Sequence, residues 1–561
     1  MHASTTVALT ALFTLSASPA ARGAGDVTTQ LTHVGSVGNP VSPFSVISAD
    51  GTIVVFASGD DTLVPGDTNG FPDIFVYERA TGAITRANVS TSGAQANHYS
   101  SNPVASADGR YIAFESYASN LDADPNGNDL DIFVRDRQAG TTTLISRDSA
   151  GGGANGSSYW PTISRDGQRI AFVSGASDLV AGDVNNDYDA FLFDAATGVT
   201  TLLSTTTAGT QGDQGIYSVL LSGDGSKAFL ASSSTNFPDA ADPNFAIGTF
   251  RKDLVTGVLE RVDGDDAGLF PYESYPAACS DDGSILLFST PDGLRPEDDN
   301  SYFWDAYRRD FGAGTLEVVS VTADGTTPSS ASFADGMSGD GRFIVWQSYF
   351  DGFTPGDTNG ITDVFVTDRA HGTTLRESVG TFDEEFGGGN IYAACFVSGG
   401  SGHVVPDDGS ALVFEYWADA NTGNAFLRER DLVPAGSVNY GSGWPGRNGV
   451  IPTMTASATP WRGTEFSIDL TNSSKLYTIG FVFVGLTRDS IPTSLGGTLL
   501  LDPLLLIAAP LTPYGGSLLA ESPIDWWASG LIVDLQTLEL DPWASKGVSF
   551  TDGLELTFGD G

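Results

Sequence analysis

Short apolar runs with polar punctuation recur along most of the chain, and they recur at a fixed interval. The dipeptide Asp-Gly stands at Asp50, Asp108, Asp166, Asp224, Asp282 and Asp340, each 58 residues after the last, with a further copy at Asp408 after a longer spacing of 68. After each comes a run rich in β-branched and aromatic residues, such as Ile53 to Ser58, Ile112 to Ser116 and Phe343 to Ser348. About twenty residues on, a second run opens with Asp, as in Asp73-Ile-Phe-Val, Asp131-Ile-Phe-Val and Asp363-Val-Phe-Val. A glycine turn and a Thr-rich run follow, as in Gly140-Thr-Thr-Thr-Leu-Ile-Ser146. Runs this short, β-branched and bounded by turn residues predict strands.

Each repeat therefore holds four strands, a to d, with the Asp-Gly turn between a and b. Four-stranded units repeated at constant spacing predict the blades of a β-propeller. The last unit supplies a (Ile391 to Ser398), b (Ala411 to Tyr416) and c (Ala425 to Arg430) but no Thr-rich d. A run of that kind stands before the first complete unit, at Thr28 to His33. Pairing the two closes the ring and hides its edges. The expected fold is all-β, a seven-bladed propeller over residues 26–434 closed by the N-terminal strand.

The string Ser106-Ala-Asp-Gly-Arg-Tyr-Ile-Ala-Phe114 resembles the WD40-like (PD40) repeats of TolB-type propellers. The added Gly-Asp-Thr-Asn-Gly-x-x-Asp-[Val/Ile]-Phe-Val string is similar to that of long-repeat members found in secreted bacterial proteins. The resemblance spans about residues 26–434 and speaks to fold; propellers serve many tasks. Past Pro434 the period stops. Residues 436–561, with β runs such as Tyr477 to Val484 and Leu531 to Leu535, are expected to form a β-sandwich. Their opening Tyr440-Gly-Ser-Gly-Trp-Pro-Gly and closing Gly553-Leu-Glu-Leu-Thr-Phe-Gly resemble a C-terminal module of secreted bacterial proteins. Trp444 stands where that module commonly has Cys, so its disulfide is not expected here.

Charge narrows the partner classes. Against 26 basic residues there are 69 acidic ones, a net −43, which would repel a nucleic-acid backbone or an anionic membrane surface. Residues 1–24 read as a signal peptide, with an apolar run from Val7 to Ala17 before Ser18-Pro19-Ala20. No later run supplies the ~20 apolar residues of a spanning helix, so a secreted, periplasmic or surface-held monomer is expected. The two cysteines, Cys279 and Cys395, fall in strand a of the fifth and seventh units, with a blade between them, and are expected as free thiols.

Two sets of residues carry candidate chemistry. The b–c loops read Asp67-Thr-Asn69 with Asp73, Asp124-Pro-Asn126 with Asp131, Asp183-Val-Asn185-Asn-Asp187-Tyr-Asp189, and Asp357-Thr-Asn359 with Asp363. Carboxylates and amides at alternate positions supply the hard oxygens calcium takes. The same spacing also serves an Asx-turn with the last Asp bonding loop amides. The fourth loop, Asp242-Pro-Asn244, has Ile247 in the register of the final Asp and is expected to bind nothing. Aromatics recur just before strand a at Tyr159, Tyr217, Tyr275 and Phe333, and Tyr99, Trp160 and Tyr272 lie nearby. With His98 they could rim the channel mouth and grip a peptide or glycan, or pack between blades. Enzyme motifs are missing: no Gly-x-Ser-x-Gly, no His-Glu-x-x-His, and five histidines scattered over different registers. The reading is a non-enzymatic propeller for a protein, peptide or glycan; the alternative is a polysaccharide lyase or hydrolase holding a metal on the propeller face.

Overall fold

The structure, a computed structural model, describes 7–8, 27–32, 44–122, 129–238, 247–296, 298, 302–322, 325–354, 357–379, 394–396, 403–419 and 422–430. Beyond residue 430 it describes 436–440, 451–456, 465–471, 478–485, 488–492, 498–501, 505–511, 516–521, 532–540, 548–551 and 553–557. Two compact units result, one of Val27–Arg430 and one of Met1–Asp26 with Asp431–Gly561.

The first unit is a seven-bladed β-propeller. Each blade is an antiparallel four-stranded sheet in simple sequential order, from Ser45–Ile47, Ile53–Ser58, Asp73–Glu78 and Ala83–Arg86 in blade 1 to Ser332–Met337, Phe343–Ser348, Asp363–Asp368 and Thr373–Arg376 in blade 6. Blade 7 combines Ala394–Phe396, Ala411–Asp419 and Thr422–Glu429 with Val27–Gln30 as its outer strand. There Val27 faces Glu429 and Gln30 faces Phe426, the closure expected from the split repeat. Blades are covered on both faces, so strands b and c are almost wholly buried and their aromatics stack in register. Phe56 lies on Phe75, Phe114 on Phe133, Phe172 on Phe191 and Trp346 on Phe365, with centroids 4.7–6.0 Å apart.

The Ser-x-Asp-Gly turns are structural. In blade 2 the Ser106 hydroxyl and the Arg110 N–H both donate to Asp108 Oδ1, while Tyr111 N–H donates back to Ser106 Oγ. Gly167, the blade 3 counterpart of Gly109, has φ +70 and lies so close to blade 2 that a Cβ would sit 2.2 Å from the Tyr111 ring. Only glycine meets both demands.

These turns also tie the ring together. A backbone N–H at or beside the x position donates to the next blade: Asp50 to Ala107 O, Ala107 to Arg165 O, Arg165 to Gly223 O, Asp224 to Asp281 O, Asp281 to Gly339 O and Asp407 to Ala49 O. Gly339 N–H completes the circle by donating to Asp407 Oδ1 at 3.1 Å. Inside it, the Arg165 guanidinium of blade 3 pairs with Asp281 of blade 5 and Asp407 of blade 7. Those blades are not neighbours, so the three side chains meet across the channel at this end. A Cβ on Gly223 or Gly339 would collide with Asp281 and Arg165.

The second unit holds a sheet in the order Gly436–Tyr440, Gly553–Thr557, Ile532–Leu540, Thr478–Gly485, Leu505–Leu511, with Val548–Phe550 paired beside Ile532–Leu540. A second sheet contains Gly516–Glu521, Glu465–Leu470 and Met454–Ala456, with Val7–Ala8 paired alongside Leu518 and Leu519. Met454, Ile468 and Leu470 of one sheet pack with Val482, Val484, Leu535, Leu554 and Leu556 of the other, an arrangement compatible with a sandwich. Among the described residues no helix is long and apolar enough to cross a membrane.

Candidate functional site

Alternation of strand direction sends the a–b and c–d turns to one face of the propeller and the b–c and d–a loops to the other. Both sets of candidate residues lie on or near the loop face, but they are put together differently.

The asparagines of the b–c loops make Asx-turns: Asn69 Oδ1 accepts from Phe71 N–H, Asn185 Oδ1 from Asp187 N–H and Asn359 Oδ1 from Ile361 N–H. The last Asp of each loop is buried at the head of strand c and tied to a hydroxyl or amide just past strand d. Asp131 accepts from Ser146, Asp189 from Ser204, Asp305 from Ser320, Asp363 from Ser378 and Asp73 from Asn88. The sequence reading missed these partners, although Ser146, Ser204, Ser320 and Ser378 keep the 58-residue register. Asp124 and Asn126 lie outside the described residues.

What neutralises the carboxylate pairs varies. In blade 1 the Arg86 guanidinium bridges Asp67 and Asp73 at 2.9 and 3.1 Å, and in blade 6 Arg376 lies 2.7 Å from Asp357 and 3.8 Å from Asp363. In blade 3 the uncharged Gln211 amide donates to both Asp183 and Asp189, at 2.8 and 2.7 Å. Asp187 accepts instead from its neighbour's N–H, Tyr188, at 2.8 Å. Among the described residues no three His, Cys, Asp or Glu side chains converge as a metal-holding group. The register of blade 4 differs from expectation: Ser232 pairs with Gly248, so Gly248 and not Ile247 takes the place of the final Asp, because the loop is one residue longer. Its carboxylate has moved across the sheet end, where Asp263 accepts from Thr249 N–H and Ser274 Oγ.

Burial pushes the Asp189 carboxyl up to about 6, with the Asp183 charge adding to the effect; burial raises Asp73 and Asp357 as well. A group whose carboxyl is raised on folding stabilises the fold while protonated and loses that contribution as pH climbs from about 4 through its folded value. The Arg110 guanidinium holds Asp136 low, and Ser284 holds Asp282 low; their contributions are lost below about pH 4. The melting temperature should therefore peak near ~pH 5 and decline towards neutrality. A thermal-unfolding series from pH 3.5 to 8 checks this, and a rise from pH 5 to 7.5 would contradict it.

The aromatic set is a feature of strand a itself, not of the loop before it. Tyr159, Tyr217, Tyr275 and Phe333 lie within Ser158–Ile163, Ile216–Leu221, Tyr275–Cys279 and Ser332–Met337. The innermost strand carries a β-bulge in each of blades 2 to 6. A bulge re-aims the extra side chain. Trp160, at φ +51, and Tyr217 are bulge residues, 48% and 45% exposed. The N–H of Trp160 is taken by Glu115, buried in strand b of blade 2, and the Ala334 N–H by Ser289 of blade 5 at 2.9 Å.

The expected aromatic rim resolves into three groups. Tyr159 contacts Trp160 and Tyr188; His98 stacks on Phe71 at 4.4 Å and meets Tyr117, which Tyr99 also touches; Trp304 bridges Tyr275 and Phe333 at 5.9 and 5.8 Å. Tyr217 and Tyr272 stand exposed. The third group lines a cavity of about 430 Å³ together with Phe44, Asp335 and Gln347. Asp335 escaped the sequence reading. It belongs to a second Asp-Gly pair, Asp335-Gly336, five residues before the one that keeps the repeat register, and was hidden by it. Cys279 is a free, half-buried thiol on strand a, its ionisation opposed by burial; the side chain of Cys395 lies outside the described residues.

No protein-family model matches the chain, and no curated protein matches it in sequence. Solved structures similar to it include propellers. A TolB of Agrobacterium tumefaciens is 17% identical over 50% of this chain and 80% of that one, with a TM-score of 0.32. The WD40 repeats of RRP9 give 8%, 72% and 98%, with a TM-score of 0.34. The GH74 enzyme of Niastella koreensis gives 10%, 92% and 67%, with a TM-score of 0.36. At these scores the matches carry no functional argument. The seven-bladed assignment stands on the strand order, and is consistent with a TolB-like repeat.

Proposed function

We propose that the propeller is a non-enzymatic binding module that takes a protein, peptide or glycan partner on its loop face, over the open mouth of the channel. One observation carries this reading. Among the described residues every large exposed aromatic of the propeller, Trp160, Tyr188, Tyr217, Tyr272, Tyr302, Phe303 and Tyr349, belongs to the loop face. Among the described large hydrophobic residues the turn face exposes valines, Val199, Val255 and Val258. One-sided exposure of aromatics is a cost to solubility that a partner surface explains, because rigid rings supply contact area at little entropic cost.

Immobilised protein presented with a peptide and glycan panel tests it. Trp160→Ala and Tyr217→Ala should each weaken the captured partner about tenfold or more, the effect expected of a hot-spot residue. Val255→Ala, on the turn face, should change nothing. Binding indifferent to the loop-face variants would sink the reading. Calcium is the cofactor proposed for blade 3, at Asp183, Asn185, Asp187 and Asp189. Among the described residues no guanidinium bridges the carboxylates there, so an added cation has repulsion to relieve. In the same preparations calcium should raise the melting temperature more than magnesium at equal ionic strength, a site filled at ~100 times its dissociation constant adding roughly 2.7 kcal/mol of stability. Asp187→Ala should remove much of the difference, and equal shifts from both ions would leave the loop a hydrogen-bonded turn.

A further inference from the structure

The crevice between blades 5 and 6 differs from the other interblade seams at this mouth. Tyr275, Trp304 and Phe333 form a continuous aromatic wall, Phe44 of blade 1 faces it, and Asp335 and Gln347 complete the lining of the ~430 Å³ space. Asp335 is the extra residue of the bulge between Ala334 and Gly336. Its Oδ1 accepts from Gln347 Nε2 at 3.0 Å. Its Oδ2 is shut off from solvent and has no hydrogen-bond partner among the described residues.

Fold requirements do not account for this carboxyl. The same register holds Ala277 in blade 5, where the bulge forms as well. A buried carboxyl oxygen without a donor costs stability, and departs from the rule that buried polar atoms find partners. Burial holds the Asp335 carboxyl well above the usual carboxylate range; the Gln347 hydrogen bond opposes that, and the charge of the fully buried Glu415 reinforces it. The pocket therefore combines ring faces, which attract cations, with a carboxyl oxygen lacking a donor. An anion would meet Asp335, Glu415 and a chain of net charge −43. A neutral sugar could stack on the rings but would have to satisfy Oδ2 with a hydroxyl in place of a charge.

We infer that this crevice is a receptor for an organic cation, an ammonium or guanidinium group seated against Tyr275, Trp304 and Phe333 with its positive charge facing the Asp335 carboxyl. The inference rests on the partner-binding reading of the loop face and deepens it. The cation comes either from a free amine or from a lysine or arginine side chain of a partner, and the chemistry of recognition is the same.

Calorimetric titration of the full chain with n-butylammonium, tetramethylammonium and methylguanidinium, each beside an uncharged isostere, tests it directly. The cations should bind at least tenfold more tightly than n-butanol or 3,3-dimethylbutanol. Asp335→Asn keeps the Gln347 hydrogen bond and cannot ionise to meet a cation; it should abolish that selectivity while melting no lower than the parent. Equal affinity for charged and neutral probes, or cation binding by Asp335→Asn that matches the parent, overturns the proposal. Should that variant fail to fold, Phe333→Leu decides: the selectivity for tetramethylammonium should fall several-fold, and no change would count against a site here. A tripeptide Gly-Lys-Gly binding more tightly than n-butylammonium assigns the cation to a partner side chain, and the reverse order assigns it to a free amine. If panel partners bind through Trp160 and Tyr217 while the isosteres are not discriminated, this proposal falls and the broader reading stands.

Discussion

Deleting residues 26–34 should leave a chain that aggregates. Val27–Gln30 pairs with Thr422–Glu429 along its length, and the segment continues into Leu31 and Thr32, both buried, with Ala425 N–H donating to the Thr32 hydroxyl. Without it an eight-residue strand of blade 7 presents unpaired backbone groups beside Phe426 and Leu427, the kind of edge that recruits another chain. Every other outer strand is joined to its own blade by a short turn; this one alone comes from the far end of the sequence, so the ring is fastened by a non-local contact. Size-exclusion chromatography of the truncated chain should show large species where the parent shows one, and a synthetic peptide of residues 26–34 should restore the parent profile. A truncated chain that stays monomeric and melts like the parent would mean that closure does not depend on this strand.

The second large effect concerns the same seam from the other side. Glu377 directly follows the outer strand of blade 6 and reaches two arginines of blade 7: its Oε2 lies 2.9 Å from Arg428 Nε and its Oε1 3.0 Å from Arg430 Nε, with the three side chains at most 3% exposed. Arg428 donates onward to Thr28 of the closing strand, and Thr28 to Val379 O. Glu377→Ala leaves two buried guanidinium groups without their carboxylate. Breaking a buried ion pair from one side costs about 3–5 kcal/mol. Replacing all three residues by apolar side chains of similar size should cost far less, since the desolvation of all three charges disappears with them. Urea unfolding followed by tryptophan fluorescence measures both. A loss under ~1 kcal/mol for Glu377→Ala would show that the seam does not rest on this triad.

Blade count and closure were readable from the residues because both follow from periodicity: the Asp-Gly register numbers the blades, and a unit lacking its Thr-rich strand points to the spare one at the chain's start. The loops were readable only in part. Their carboxylates and asparagines stand out locally, but the groups that answer them do not. Arg86, Gln211, Arg376 and the serines after strand d lie some 13 to 28 residues further on, and become neighbours only when strand c folds back against strand d. One inserted residue in blade 4 was enough to move Ile247 out of the place assigned to it. Asp335 was harder still, because a bulge adds a residue without a sequence mark, and its Asp-Gly looks like the turn signal five residues later. Local chemistry is legible; pairings across a sheet, and side chains re-aimed by a bulge, are not.

Arg165, clasped by Asp281 and Asp407 inside the closed circle of backbone hydrogen bonds, is a brace among blades 3, 5 and 7, which share no seam. A seam that starts to open between two neighbours is thus resisted by blades that do not border it, and the ring should come apart as one cooperative unit instead of peeling blade by blade.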